Sequence, residues 1–160
     1  MAGQFLLNLF ITLLWVLLKD EPELYLQTIA TGFLIGAFIT LIMRRFFGGE
    51  FYLIRVYAML KLIILFISET LQSSVVVIKH ILSPRINIEP GIFMYKTILH
   101  SDWEVTTLAM LLTLTPGSVV MEVNETGNVL YIHAMDIKRY KGDLERSLGK
   151  FEKAIMEVTR

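Results

Sequence analysis

Leu24-Tyr25-Leu26-Gln27-Thr28-Ile29-Ala30-Thr31-Gly32-Phe33-Leu34-Ile35-Gly36-Ala37-Phe38-Ile39-Thr40-Leu41-Ile42-Met43 carries no charged side chain. Wound as a helix it rises about 30 Å, the thickness of a bilayer's hydrocarbon core. Another uncharged run, Met1 to Leu18, precedes it, and only Lys19-Asp20-Glu21-Pro22-Glu23 lies between. The first run lacks a basic leader, and no small-x-small cleavage site follows Leu18, so a retained helix is expected. The two runs make a tight antiparallel hairpin in residues 1–50, with spans at about 4–18 and 24–43. Arg44, Arg45 and Arg55 cluster beyond the second run, whereas the link holds one Lys and three acids. The positive-inside rule puts the arginine end, and with it the N-terminus, in the cytoplasm.

Working outward, the charges thicken along the chain. Four lie in residues 1–43, nine in 44–95 and seventeen in 96–160. Across all 160 residues, 54% are hydrophobic, 19% are charged and the formal net charge is zero. The zero balance excludes a globally basic nucleic-acid binder. The absence of cysteine excludes a disulfide framework, a thiolate metal site and a Cys nucleophile.

Residues 51–83 are apolar but interrupted by Arg55, Lys61, Glu69 and Lys79. At about 100° per residue, Lys61 and Lys79 fall at one angle, with Arg55 and Glu69 within roughly 120° of it. This is one long amphipathic helix with a charged stripe. Lying in the cytoplasmic interface, or steeply tilted there, is the preferred placement. The alternative is a span with Lys61 and Glu69 facing protein neighbours at membrane depth.

Ser83-Pro84 ends that helix. Residues 90–160 then read as a small cytoplasmic α+β domain of order β-α-β-β-α. A strand is expected at Ile92–Leu99. A helix opens on a Ser101/Glu104 capping box and runs to about Leu114. Pro116-Gly117 closes it, and a strand follows at Ser118–Val123. Turn residues Asn124 to Asn128 lead to an antiparallel strand at Val129–Met135. Leu144, Leu148, Phe151, Ile155 and Val158 mark the inner face of a last helix. A right-handed crossover makes the first two strands parallel.

No phosphate-binding glycine loop, HExxH, GxSxG or metal-spaced His cluster occurs, so no enzyme, cofactor or metal site is expected. His133 and Asp136 on one strand point to opposite faces, so His133 reads as a structural histidine. Glu69 lacks a second acid nearby on its helix and so makes no proton relay. In the hairpin, Thr28, Gly32, Gly36 and Thr40 recur every four residues, a stripe that permits close helix approach. Gln4, Asn8 and Thr12 repeat that spacing on the first helix as hydrogen-bonding groups. These seven are the candidates for helix packing or for a subunit interface. With an interface at the stripe, leucine at both glycines leaves insertion intact and detaches the chain from its partners.

Leu112-Thr113-Leu114-Thr115-Pro116-Gly117-Ser118-Val119 resembles the signature of the E subunit of Mrp-type multisubunit cation/proton antiporters. Leu130 to Asp136, Trp15 in an apolar run, the hairpin and the length are similar to that family too. Ser118 departs from it where a threonine is expected. The resemblance covers nearly the whole chain. It implies an accessory or assembly subunit of a bacterial plasma-membrane complex that exchanges sodium ions for protons, multi-pass, with the other subunits and the lipid bilayer as partners. It also implies that Thr113, Thr115, Pro116 and Gly117 form the family's signature run. Two other functions stay open at this point. One is an ion-path subunit using Glu69 and Lys61, and the other an unrelated membrane-tethered ligand-binding domain.

Overall fold

The fold is described from a computed structural model, over residues 2–19, 25–47, 51–84 and 88–160. Residues 20–24, which hold the acids of the link and Leu24, lie outside the described residues. Packing divides the chain into two units, residues 1–57 and 58–160.

In the first unit, helix α1 covers Ala2–Lys19 and helix α2 covers Leu26–Ile42, followed by a 3₁₀ turn at Met43–Phe47. Contacts of Gly32 with Trp15 and of Gly36 with Asn8 show that α1 and α2 run antiparallel. Leu6, Phe10, Leu13 and Leu17 of α1, with Leu34 and Phe38 of α2, are exposed. The polar Gln4, Asn8, Thr12, Thr28 and Thr40 are buried instead. That inversion suits a solvent of hydrocarbon, where apolar side chains gain nothing by hiding and polar ones must find partners. Helix α3, Tyr52–Ile81, begins in this unit. By length and composition two segments can cross a bilayer, Leu26–Phe47 and Tyr52–Ile81, and Gly3–Lys19 is a shorter apolar helix.

The second unit holds the rest of α3 and an α+β fold of strands β1 (Gly91–Lys96), β2 (Ser118–Val123) and β3 (Val129–Ala134) and helices α4 (Asp102–Leu114) and α5 (Ile137–Thr159). The sheet order is β1-β3-β2, and both neighbouring pairs are antiparallel. Strands β1 and β2 do run the same way, but β3 lies between them, so no parallel ladder forms. Strand β1 stops before Thr97, three residues short of the expected end. There the Glu152 carboxylate accepts from Thr97 Oγ1 at 2.6 Å and from the Ile98 amide at 3.1 Å, which pulls the chain off the sheet.

Phe93, Leu108, Leu112, Leu130, Ile132, Leu148, Phe151 and Ile155 form the core. Leu62, Leu65 and Phe66 of α3 pack against it. A domain of about 70 residues buries little apolar surface on its own. Packing therefore joins residues 58–84 to the α+β part, although the sequence divides them near residue 90.

Candidate functional site

The charged stripe of α3 meets α5. Helix α5 forms because Asp136 caps it, accepting from the Arg139 amide, and because Leu148, Phe151 and Ile155 recur on one face. It runs antiparallel to α3, since Lys61 pairs with Glu157 near its end and His80 lies beside Asp136 at its start. Glu69 is the pivot. It is 7% exposed, and its carboxylate accepts from Ser147 Oγ at 2.6 Å and Lys150 Nζ at 2.8 Å. Burial pushes its carboxyl up, but the bonds from Lys150 and Ser147 together outweigh that and hold it below the ordinary carboxylate value. At neutral pH Glu69 is therefore an ionised, neutralised group. Lys61 Nζ sits 2.7 Å from Glu157, with both side chains about half exposed. Lys79 is exposed on the last turn of α3, and Arg55 belongs to the first unit.

Beside this seam lies a cavity of about 290 Å³. Glu69, Asp136, Tyr140, Lys150, Pro116 and Gly117 are among its walls. Pro116 and Gly117 of the Thr-Pro-Gly run thus border the cavity. Its chemistry is that of a helix stop. Thr115 Oγ1 donates to the Leu112 carbonyl, one of the acceptors a helix end leaves without an intrahelical donor. Thr113 Oγ1 accepts from the Val120 amide at 3.4 Å. Gly117 adopts φ +93°, which L side chains resist, and turns the chain into β2.

Asp136 finds His80 as its neighbour, with Nε2 to Oδ2 at 3.9 Å, and not His133 on its own strand. Asp136 Oδ2 and His80 Nδ1 have no hydrogen-bond partner among the described residues. Of two other buried carboxylates, the sequence shows Glu104 only as a helix cap and gives no sign of the role of Glu152. Glu152 accepts from Tyr95 and Thr97 on the β1 side, and burial together with the Glu152 charge pushes the Tyr95 phenol up. Glu104 completes the capping box with Ser101 and also accepts from Thr159 Oγ1 at 2.6 Å. The Thr159 bond and the His100 and Ser101 amides hold its carboxyl below the ordinary value against the effect of burial. Among the described residues, no three His, Cys, Asp or Glu side chains converge as a metal site.

All seven small and polar candidates are buried in the first unit, and Gly32 and Gly36 face α1. A methyl at Gly32 would come within 3.0–3.2 Å of the Trp15 side chain, and one at Gly36 within 3.0 Å of the Asn8 carbonyl. The Asn8 amide oxygen occupies the space that a Gly36 side chain would need. Among the described residues, Gln4 and Asn8 bond to Tyr52 at the start of α3. Gln4 Oε1 accepts from the Tyr52 amide at 2.8 Å, and Asn8 Nδ2 donates to the Tyr52 hydroxyl. Thr12 and Thr40 donate back to the carbonyls of Asn8 and Gly36 on their own helices.

Comparison with known proteins gives a consistent outcome. A family model described as a Na+/H+ ion antiporter subunit matches residues 8–158. The chain is 43% identical over 160 residues to the E subunit of the Na(+)/H(+) antiporter of Bacillus subtilis, covering 100% of each. It is 39% identical to the corresponding E subunit from Alkalihalophilus pseudofirmus, again over 100% of each. Among solved structures it is similar to a chain of the membrane-bound sulfane sulfur reductase, an archaeal respiratory membrane complex. There the TM-score is 0.54 and the identity 24%, over 97% of this chain and 99% of that one, a likeness of fold.

Proposed function

Because this chain belongs to the Na+/H+ ion antiporter subunit family, we propose that it acts as an accessory, assembly-type subunit of a multisubunit cation/proton antiporter, outside the ion path. Its partners on this reading are the other antiporter subunits and the bilayer. The chain is multi-pass in a bacterial plasma membrane, with the Arg44-Arg45 loop and the α+β domain on the cytoplasmic side.

The observation that carries the reading is the state of Glu69. A carboxylate that relays protons must change its protonation and face a water-filled route. Glu69 instead is held ionised by Lys150 and Ser147 of the same chain. Lys61, the other residue of the ion-path alternative, is tied to Glu157. Both charges fasten a small domain to a helix, which is the work of a scaffold. Expressing the antiporter without this chain should lose the assembled complex, as read by native gel and co-purification of the remaining subunits. A complete remaining complex with abolished exchange would favour the ion-path alternative.

A further inference from the structure

Hydropathy alone makes Tyr52–Ile81 a candidate span. The geometry of its partner points elsewhere. We propose that α3 lies along the cytoplasmic leaflet as an interfacial helix, with one face among lipid tails and headgroups and the other carrying the α+β domain. This deepens the accessory reading, and it rests on the hairpin being the membrane anchor.

One face of α3 is already engaged by α5. Three contacts join it to α5 in antiparallel order: Lys61 with Glu157, Glu69 with Ser147 and Lys150, and His80 beside Asp136. From Lys61 to His80 the helix rises about 28 Å, nearly the whole thickness of a hydrocarbon core. A spanning α3 would hold α5 alongside it at every depth. Lys141, Glu145 and Arg146 on α5 are exposed, and charges of that kind are among the costliest residues to place in hydrocarbon. A helix tied at three points along its length to a charged neighbouring helix is poorly suited to cross a bilayer.

Another face remains open. Leu60, Ile64, Ile67, Leu71, Ile78 and Leu82 are each more than half exposed. At about 100° per residue they fall within a sector of roughly 60°, opposite Leu62, Glu69 and His80. Lys79, exposed and about 60° beyond the edge of that sector, can lay its long stem along the apolar surface and reach the headgroups with its ammonium group.

The Tyr52 amide bonds to Gln4 in the first turn of α1, so α3 starts at the hairpin end that also bears Arg44 and Arg45. The chain delivers α3 to the bilayer surface at its cytoplasmic end, and lipid is what an apolar face meets there.

The test uses the assembled complex in liposomes of phosphatidylcholine and phosphatidylglycerol. Ile64→Cys, Leu71→Cys and Ile78→Cys are made singly in this cysteine-free chain, labelled with a nitroxide, and read by power saturation with oxygen and a water-soluble nickel chelate. Complex recovery is matched first, and Leu60→Cys and Leu82→Cys replace any variant that fails to assemble. All sites should favour oxygen at one shallow depth, about 5–10 Å below the headgroups. A depth that shifts by about 20 Å between Ile64 and Ile78 would mean a span and overturn the proposal. Sites closed to both reagents would mean a protein neighbour on that face and overturn it equally. The depth reading does not involve ion exchange, so a transport role for Glu69 would leave it unchanged.

Discussion

Gly36→Ala is a one-carbon change with a worked outcome. The added methyl points into α1, 3.0 Å from the Asn8 backbone oxygen and onto the Asn8 amide oxygen. The amide can swing away, but the backbone oxygen moves only if α1 moves. Swinging Asn8 also breaks its bond to the Tyr52 hydroxyl. Overpacking a tight contact costs about 1–3 kcal/mol. A lost hydrogen bond adds about 0.5–1.5 kcal/mol, and helix propensity returns about 1 kcal/mol for replacing Gly by Ala. A net loss of about 0.5–3.5 kcal/mol follows. The assay is the thermal midpoint of the purified full chain in mild detergent. A clear drop is expected, together with a lower level of the chain in cells. The seam lies inside the hairpin, so the doubly substituted Gly32→Leu, Gly36→Leu chain should also be unstable in itself. A variant that keeps the wild-type midpoint yet leaves the complex would refute this and return the stripe to a subunit interface.

Three further outcomes can be measured on the same material. Gly117→Ala should lower the midpoint by the equivalent of about 1–2 kcal/mol, because φ +93° is strained for alanine, while the Val77 methyl at 3.7 Å leaves room for the side chain. An unchanged midpoint would contradict it. The Glu104 carboxyl is depressed in the fold, so its stabilisation is present above the ordinary value of about 4.3 and is lost as pH falls through the lower folded value. Thermal midpoints taken from pH 6 to 3.5 should fall less steeply in Glu104→Gln than in wild type, and equal slopes would count against the assignment. A cysteine placed by Thr126→Cys should resist an impermeant thiol reagent in intact cells and react in inverted vesicles. Labelling in intact cells would put the α+β domain outside.

Local chemistry was largely legible in the sequence. The Ser101/Glu104 box starts α4 at Asp102, Pro116-Gly117 ends it, and β2 spans Ser118–Val123 as the pattern expects. The inner face of α5 follows its spacing, with Leu148, Phe151 and Ile155 in the core. What stayed hidden was long-range. Nothing near Glu69 announces Ser147 or Lys150, because their meeting depends on α5 folding back along α3. The same holds for His80 and Asp136. The central place of β3 follows from two pairings, of which only the hairpin with β2 has a local signal in Asn124 to Asn128. Glu152 reads as one more charge on a charged helix until Thr97 and Tyr95 close over it. In the hairpin the spacing of Thr28, Gly32, Gly36 and Thr40 showed that a face was smooth, and only the fold placed Trp15 and Asn8 upon it.

On the proposed function, Glu69 binds this chain's own α5 and carries no transported ion or proton. Sodium-driven proton flux in vesicles, compared between wild type and Glu69→Gln at matched complex levels, tests it most directly. Glutamine keeps the shape and still accepts from Ser147 while losing the charge that Lys150 neutralises. Most of the flux should survive. Near-complete loss of flux in a normally assembled complex would contradict it.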